Sequence, residues 1–374
     1  MLRDAHSRRP GFDALRVGAM VAVVFTHAGM SYMVNPPRIE QWPVHDPPGM
    51  ALFDLAFLYV RTGVIGVFFA LSGFFAAESC ARVSPGEFLK SRWKRIGVPL
   101  VVSAFLVLPA MYLVWCWAAW LRGYIKPEQI LSYRLSTADK TALMGPAHLW
   151  FLEYLMLYAA AFAVWRWAVP ARRLAATAAG EAWVIAAGAC ATAAGLAVCV
   201  AMDPAFVTEF RNDFTPRLWF FGYNGLVFAA GAGLWRYRAG LEVVGRWWWA
   251  AVLLAQGVFA WWMWVAPGEW AWVGLLAGAP VFTVLMVLGW MGGAGNGWRV
   301  VSGKPEEGGV GKWLAGAGYG VYVVHLPIVW AAQIVMQRVE WPTVVKWLVA
   351  GSVGLAGAAG LVWGWGKWQM ANSK

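Results

Sequence analysis

Long apolar runs alternate with short polar segments along the whole chain. The runs fall at 12–34, 52–78, 96–121, 147–168, 181–202, 216–235, 247–266, 271–291, 313–337 and 343–366. Each is close to the roughly 20 residues that a helix needs to cross the hydrocarbon of a bilayer. Within lipid every backbone N–H and C=O must find a partner inside its own segment, so these runs are expected to be helices. The pattern predicts an all-α fold, a polytopic transmembrane helix bundle of about ten spans. Connections inside 247–291 and 313–366 are short, so nine or eleven spans also fit.

Composition agrees. Of the 374 residues, 60% are hydrophobic and only 13% charged, about half the charged fraction usual for a soluble domain, and the mean hydropathy is +0.56. The net charge of +11 does not point to nucleic acid, because the basic residues form no continuous patch or recognised module. They sit in short loops instead. With the N-terminus inside, 19 of the 30 Lys and Arg fall on inner segments and 9 on outer ones, a bias that predicts both termini cytoplasmic. Residues 1–10 are basic, but the run after them is span-length and lacks a cleavage site, so no cleavable signal is expected. Cys80, Cys116, Cys190 and Cys199 have no metal-type spacing, and neither a metal site nor a disulfide framework is expected. Many of the 28 tryptophans flank spans, as interfacial anchors do. The Gly-rich stretch 292–312 lacks the strand and helix of a dinucleotide fingerprint and reads as a linker.

Ionisable groups inside spans are costly, by about 2.5–3.5 kcal/mol each at mid-depth, and are read as functional by default. The first run carries Asp13, Arg16 and His27. Arg16 and His27 are eleven residues apart, about three turns plus 20°, so they share a face roughly 16 Å apart along the axis. Asp13 stands at i, i+3 to Arg16, where it can orient the cation or simply favour the helix start. His27 is the sharpest candidate for chemistry, since a buried neutral imidazole can take a proton from a hydroxyl; the plainer role is a hydrogen bond between helices. Arg92 and Arg95 lie one turn apart before the third span, and guanidinium groups so spaced can grip phosphate oxygens. His148 opens the fourth span, with Glu153 deeper. Tyr322 and His325 lie at i, i+3 in the ninth span at a depth like that of His27, and either line the same cavity or pack. Asp54 could orient an imidazole. Arg61 needs a counter-charge or water. Ser72 lacks the Gly-x-Ser-x-Gly surroundings of a hydrolase nucleophile.

These landmarks resemble those of a known family. FDALRVGAMVAVVFTHAG is similar to the first helix of the acyltransferase-3 family of integral membrane O-acyltransferases, GVIGVFFALSGFF to its second span, and FLKSRWKRIGVPLVV to its Arg-x-x-Arg segment. HLWFLEYLMLY and GYGVYVVHLPIV resemble later landmarks, in the same order, and HLWFL also resembles the glucan succinyltransferase branch. The resemblance implies one integral membrane acyltransferase domain over 1–374, in a bacterial inner membrane. It would move an acyl group, acetyl or succinyl, from cytoplasmic acyl-CoA (acetyl-CoA foremost) to a hydroxyl of an envelope carbohydrate or glycolipid. By the same resemblance His27 is the essential histidine, Arg16 the first-helix arginine, and Arg92 and Arg95 the pair near the CoA phosphates. Asp13, His148, Glu153, Tyr322 and His325 are further candidates. Partners implied are the lipid bilayer, acyl-CoA and the glycan acceptor. The extracytoplasmic esterase-like domain carried by many members is not expected here.

A reading from another class is a transporter or flippase for a glycan or lipid precursor, with the buried ions as a proton relay. Paired, Gly/Pro-broken spans in two halves would favour it, and none pair convincingly.

Overall fold

The computed structural model describes residues 10–37, 42–129, 145–169, 178–209, 212–296 and 310–372. Among them there is no strand. The long helices are α1 (Pro10–Tyr32), α2 (Ala51–Cys80), α3 (Pro85–Leu121) and α4 (Ala147–Ala168), then α5 (Ala178–Met202) and α6 (Leu218–Arg236). They continue as α7 (Arg238–Val265) and α8 (Ala271–Gly295), and α9 (Val310–Met336) and α10 (Thr343–Asn372). The basic residues 1–9, most of the 122–146 connection and residues 297–309 of the Gly-rich stretch lie outside the described residues.

Nine of these helices are long and apolar enough to cross a membrane. The tenth predicted span is α6, where Tyr223, Asn224 and the glycines Gly222, Gly225, Gly231 and Gly233 dilute the apolar run. Its small residues serve packing instead. A Cβ placed on Gly231 would stand 1.9 Å from the Ala70 carbonyl oxygen of α2, and one on Gly73 of α2 would stand 1.9 Å from the Phe228 carbonyl oxygen of α6. The two backbones therefore touch, as helices do in membranes where lipid supplies no hydrophobic push and close packing must hold them. Elsewhere large apolar side chains point outward, among them Phe105, Trp183 and Trp264, the last 78% exposed. Such surface is tolerated where the solvent is lipid.

α1 sits inside the bundle, against α8, α9, α10 and the start of α2. Carbonyls in its last turns, where helical donors run out, take hydrogen bonds from neighbouring helices. Gln333 Nε2 of α9 donates to the carbonyls of His27 (3.1 Å) and Ala28 (2.9 Å), and Trp347 Nε1 of α10 donates to that of Phe25 (2.8 Å). α3 begins earlier than its apolar run because Ser84 and Glu87 form a capping box with Pro85 at the first position. Its basic segment is thus helical and joins the span through a π turn at Trp93–Gly97. A second π turn, Val60–Val64, interrupts α2.

Gly231→Ala is expected to destabilise the fold by about 1–3 kcal/mol through overpacking. Gly233→Ala, where a Cβ meets nothing within 4 Å, should be neutral or stabilising by up to about 1 kcal/mol through helix propensity. Thermal unfolding of the purified protein in detergent compares the two.

Candidate functional site

Three histidines from three helices meet in the interior. His27 of α1 and His325 of α9 stack with ring centroids 5.0 Å apart at 10°, and His27 Nδ1 lies 2.8 Å from His325 Nε2. His148 stands edge-on to both, at 5.1 Å from His325 and 6.5 Å from His27. The sequence places one of them through a proline. Pro327 has no N–H, so the carbonyl four residues earlier, at Val323, loses its helical partner. His148 Nε2 fills that vacancy at 2.8 Å. His148 is held from its other side by its own backbone. Ala147 adopts φ 48°, a conformation that costs a non-glycine residue on the order of 1–3 kcal/mol, and its N–H donates to Asn212 Oδ1 at 2.7 Å. The Tyr322 hydroxyl donates to the His148 carbonyl oxygen.

These bonds assign the tautomers. A carbonyl only accepts, and a neutral imidazole has one N–H and one lone pair. His325 Nδ1 must carry the hydrogen that meets the Tyr322 carbonyl at 2.5 Å, so its Nε2 is the acceptor. His27 Nδ1 then donates to that Nε2, which leaves the lone pair of His27 on Nε2. His148 donates from Nε2, and its buried Nδ1 lone pair has no partner among the described residues. The cluster therefore runs from a carbonyl through His325 to His27 and ends in a basic nitrogen. Among the described residues no group of three or more His, Cys, Asp or Glu is arranged to hold a metal ion.

Two cavities meet at this cluster, and both are lined by Val23, His27, Ile65, His148 and Trp150. The first, about 900 Å³ including open solvent, surrounds the N-terminal half of α1 and takes in Arg16, Ser72, Phe75, Arg92, Tyr319 and Tyr322. Arg16 bonds Asp13 at 3.0 Å, so the acid orients the arginine as well as standing in the first turn. Arg16 also lies over the Phe75 ring at 4.2 Å, and Arg92 donates to the Phe75 carbonyl at 3.4 Å. Arg95, one turn on, is exposed and does not line this cavity. The second cavity, about 930 Å³ including open solvent, surrounds the C-terminal half of α1 and takes in Trp42, Arg61, Tyr112, Asn212 and Trp330.

The remaining candidates separate. Tyr322 and His325 join the cluster, whereas Glu153 lines neither cavity, and its Oε2 is buried with no partner among the described residues. Asp54 meets no imidazole; its carboxylate accepts the backbone N–H groups of Val34 and Asn35 at 2.8 and 3.0 Å, fixing the chain that leaves α1. Sequence reasoning passes over Trp42, Asn212, Gln333 and Pro327. Trp42 Nε1 donates to Ser31 Oγ (3.0 Å) and Gln333 Oε1 (3.2 Å), which sets its ring 5.9 Å from that of His27. Gln333 alone left a readable signal, as an uncharged polar residue inside an apolar run.

The family described as "Acyltransferase domain", acyltransferase-3, matches residues 9–363. No curated protein and no solved structure matches the chain.

The tautomers are directly measurable. In ¹⁵N-histidine NMR spectra of the neutral protein, His27 and His325 should appear as Nδ1–H tautomers and His148 as Nε2–H. Single His→Gln variants assign the signals. Removing His325 should release His27 to a mixture of tautomers.

Proposed function

Because the chain belongs to the acyltransferase-3 family and is an integral, multi-pass membrane acyltransferase, we propose that it moves an acyl group from cytoplasmic acyl-CoA to a hydroxyl of an envelope carbohydrate or glycolipid. The observation that carries this reading is the junction of two cavities at His27, with arginines gathered on one side. A donor and an acceptor arriving from opposite faces need such an arrangement, and a soluble donor outside the cell is then unnecessary. The loop charges support a cytoplasmic N-terminus, and on that reading the arginine-lined cavity is the one that meets acyl-CoA. The expected membrane is the bacterial inner membrane, the donor acetyl- or succinyl-CoA, and the domain the whole of 1–374.

In this mechanism Arg16 and Arg92 bind phosphate oxygens of CoA through charge-assisted hydrogen bonds. Arg95, exposed near the cavity, guides the anion rather than gripping it. Tyr319 and Phe75 flank the path inward, and the thioester reaches His27. The lone pair on Nε2 takes the proton of the acceptor hydroxyl as its oxygen attacks the thioester carbon. The C–S bond then breaks, and the CoA thiolate leaves with the proton from Nε2. His325 keeps His27 in the tautomer that makes Nε2 the base, the part that a third group plays in nucleophile–base arrangements generally.

His27→Ala is expected to lower kcat by about 10²–10⁴-fold, the range for loss of general-base catalysis, with CoA affinity retained. Arg16→Ala with Arg92→Ala should raise the Kd for acyl-CoA by roughly tenfold or more, and Arg95→Ala alone by less. Labelled acyl-CoA, the purified protein in nanodiscs and an envelope glycan extract provide the assay. Near-normal transfer by His27→Ala would remove the assignment.

A further inference from the structure

The cavity beyond His27 contains a cation that has no ion-pair partner among the described residues. Of the described residues that line it, only Arg61 is charged. Arg61 stands in the π turn of α2, a kind of turn often found at functional sites. Among the described residues its guanidinium is anchored from one edge. Nε donates to the Phe206 carbonyl at 3.0 Å, and Nη2 donates to the carbonyls of Phe206 and Glu209 at 2.6 and 3.0 Å. These three bonds fix the plane of the group against the turn after α5. Nη1 makes no hydrogen bond among the described residues, and the group forms no ion pair there. Phe57 and Phe220 lie under its carbon at 5.6 and 4.9 Å, which limits movement further.

Carbonyl dipoles orient a cation but do not cancel its charge. A cation within a span ordinarily pairs with an acid or faces a polar path, yet the neighbouring arginine, Arg217, already holds Asp203 in a two-point ion pair. Asp213 and the exposed Glu209 border a separate side pocket behind Arg61 and Trp150, and neither pairs with Arg61. The arrangement is therefore a guanidinium fixed by three carbonyl bonds, with the two N–H groups of Nη1 unused among the described residues, on a residue that lines both the cavity beyond His27 and the side pocket. Planar, fixed donors of this kind suit a carboxylate or phosphate.

We propose that Arg61 is an anion subsite that holds an acidic group of a substrate during transfer. Two sources share this chemistry: a carboxylate or phosphate on the acceptor, and the far carboxylate of a dicarboxylic acyl chain whose thioester lies at His27. The assignment of sources rests on the acyl-transfer reading; the anion subsite itself does not.

Two matched pairs of probes test it on the full chain in nanodiscs. Succinyl-CoA against butyryl-CoA varies the acyl end, and methyl glucuronide against methyl glucoside varies the acceptor. Both equilibrium binding and acyl transfer are measured. The wild-type protein should prefer the carboxylate member of one pair by at least tenfold, and that pair identifies the source. Arg61→Gln should remove the preference, and Arg61→Lys should retain part of it. A purely structural loss lowers both members alike and leaves the ratio intact, which would overturn the proposal. So would a wild-type protein with no preference in either pair. An Arg61-dependent preference in binding, with no transfer from either CoA ester, would leave the subsite standing and defeat the acyl-CoA reading instead.

Discussion

The hydrogen bond between His27 Nδ1 and His325 Nε2 is the constraint on which the site depends. Its direction is not free. The Tyr322 carbonyl claims the only hydrogen of His325, so His27 must donate and must present its lone pair elsewhere. Two imidazoles in contact would otherwise be interchangeable, each able to give or take. A single backbone carbonyl breaks the symmetry, and the basic nitrogen becomes Nε2 of His27, beside both cavities.

That solution differs from a base oriented by a carboxylate. A carboxylate would stabilise the imidazolium that forms when Nε2 takes a proton, whereas the Tyr322 carbonyl cannot accept a proton and carries only partial charge. Within the proposed reaction the positive charge stays on the histidine pair in a low-dielectric interior, where it is costly. The favourable exit is immediate return of the proton to the departing thiolate. A histidine pair without an acid thus suits a reaction in which proton uptake and release occur at one nitrogen within one turnover.

The sequence made the spans legible because lipid imposes a length and a composition on every helix. Most run boundaries fall near helix ends for that reason, whereas α3 and α7 begin well before their apolar runs, with a charged residue in each first turn, and α6 departs in hydropathy because its glycines meet the α2 backbone. Arg16 and His27 were legible as a pair because helical periodicity fixes their relation without tertiary knowledge. The rest of the cluster was not. His148 and His325 lie 121 and 298 positions from His27, and nothing in local spacing says that their rings meet. Trp42 is one of many tryptophans, most of which flank spans, and a proline in an apolar run does not by itself say which side chain takes the carbonyl it frees. Arg95 shares the Arg-x-x-Arg spacing with Arg92, but one turn along α3 separates a half-buried side chain from an exposed one.

Anchoring of the surrounding chain follows from the same need to satisfy backbone groups away from water. Gln333 spans two carbonyls at the end of α1 with its amide nitrogen and receives Trp42 with its oxygen. One fully buried side chain thereby ties the helix that carries His27, the helix that carries His325 and the segment that covers them. Further along that segment, Lys346 of α10 bonds Asp46 at 2.8 Å with both side chains largely buried, and Gln337 of α9 donates to the His45 carbonyl at 2.7 Å. The cover over the histidines is thus held at three points to the helices behind it. Water reaching Nε2 from that side would compete with an acceptor hydroxyl for the acyl group. In the proposed reaction Trp42, seated beside His27 by Ser31 and Gln333, narrows the space that an acceptor hydroxyl and water would share, so the bonds that hold the end of α1 also shape the approach to His27.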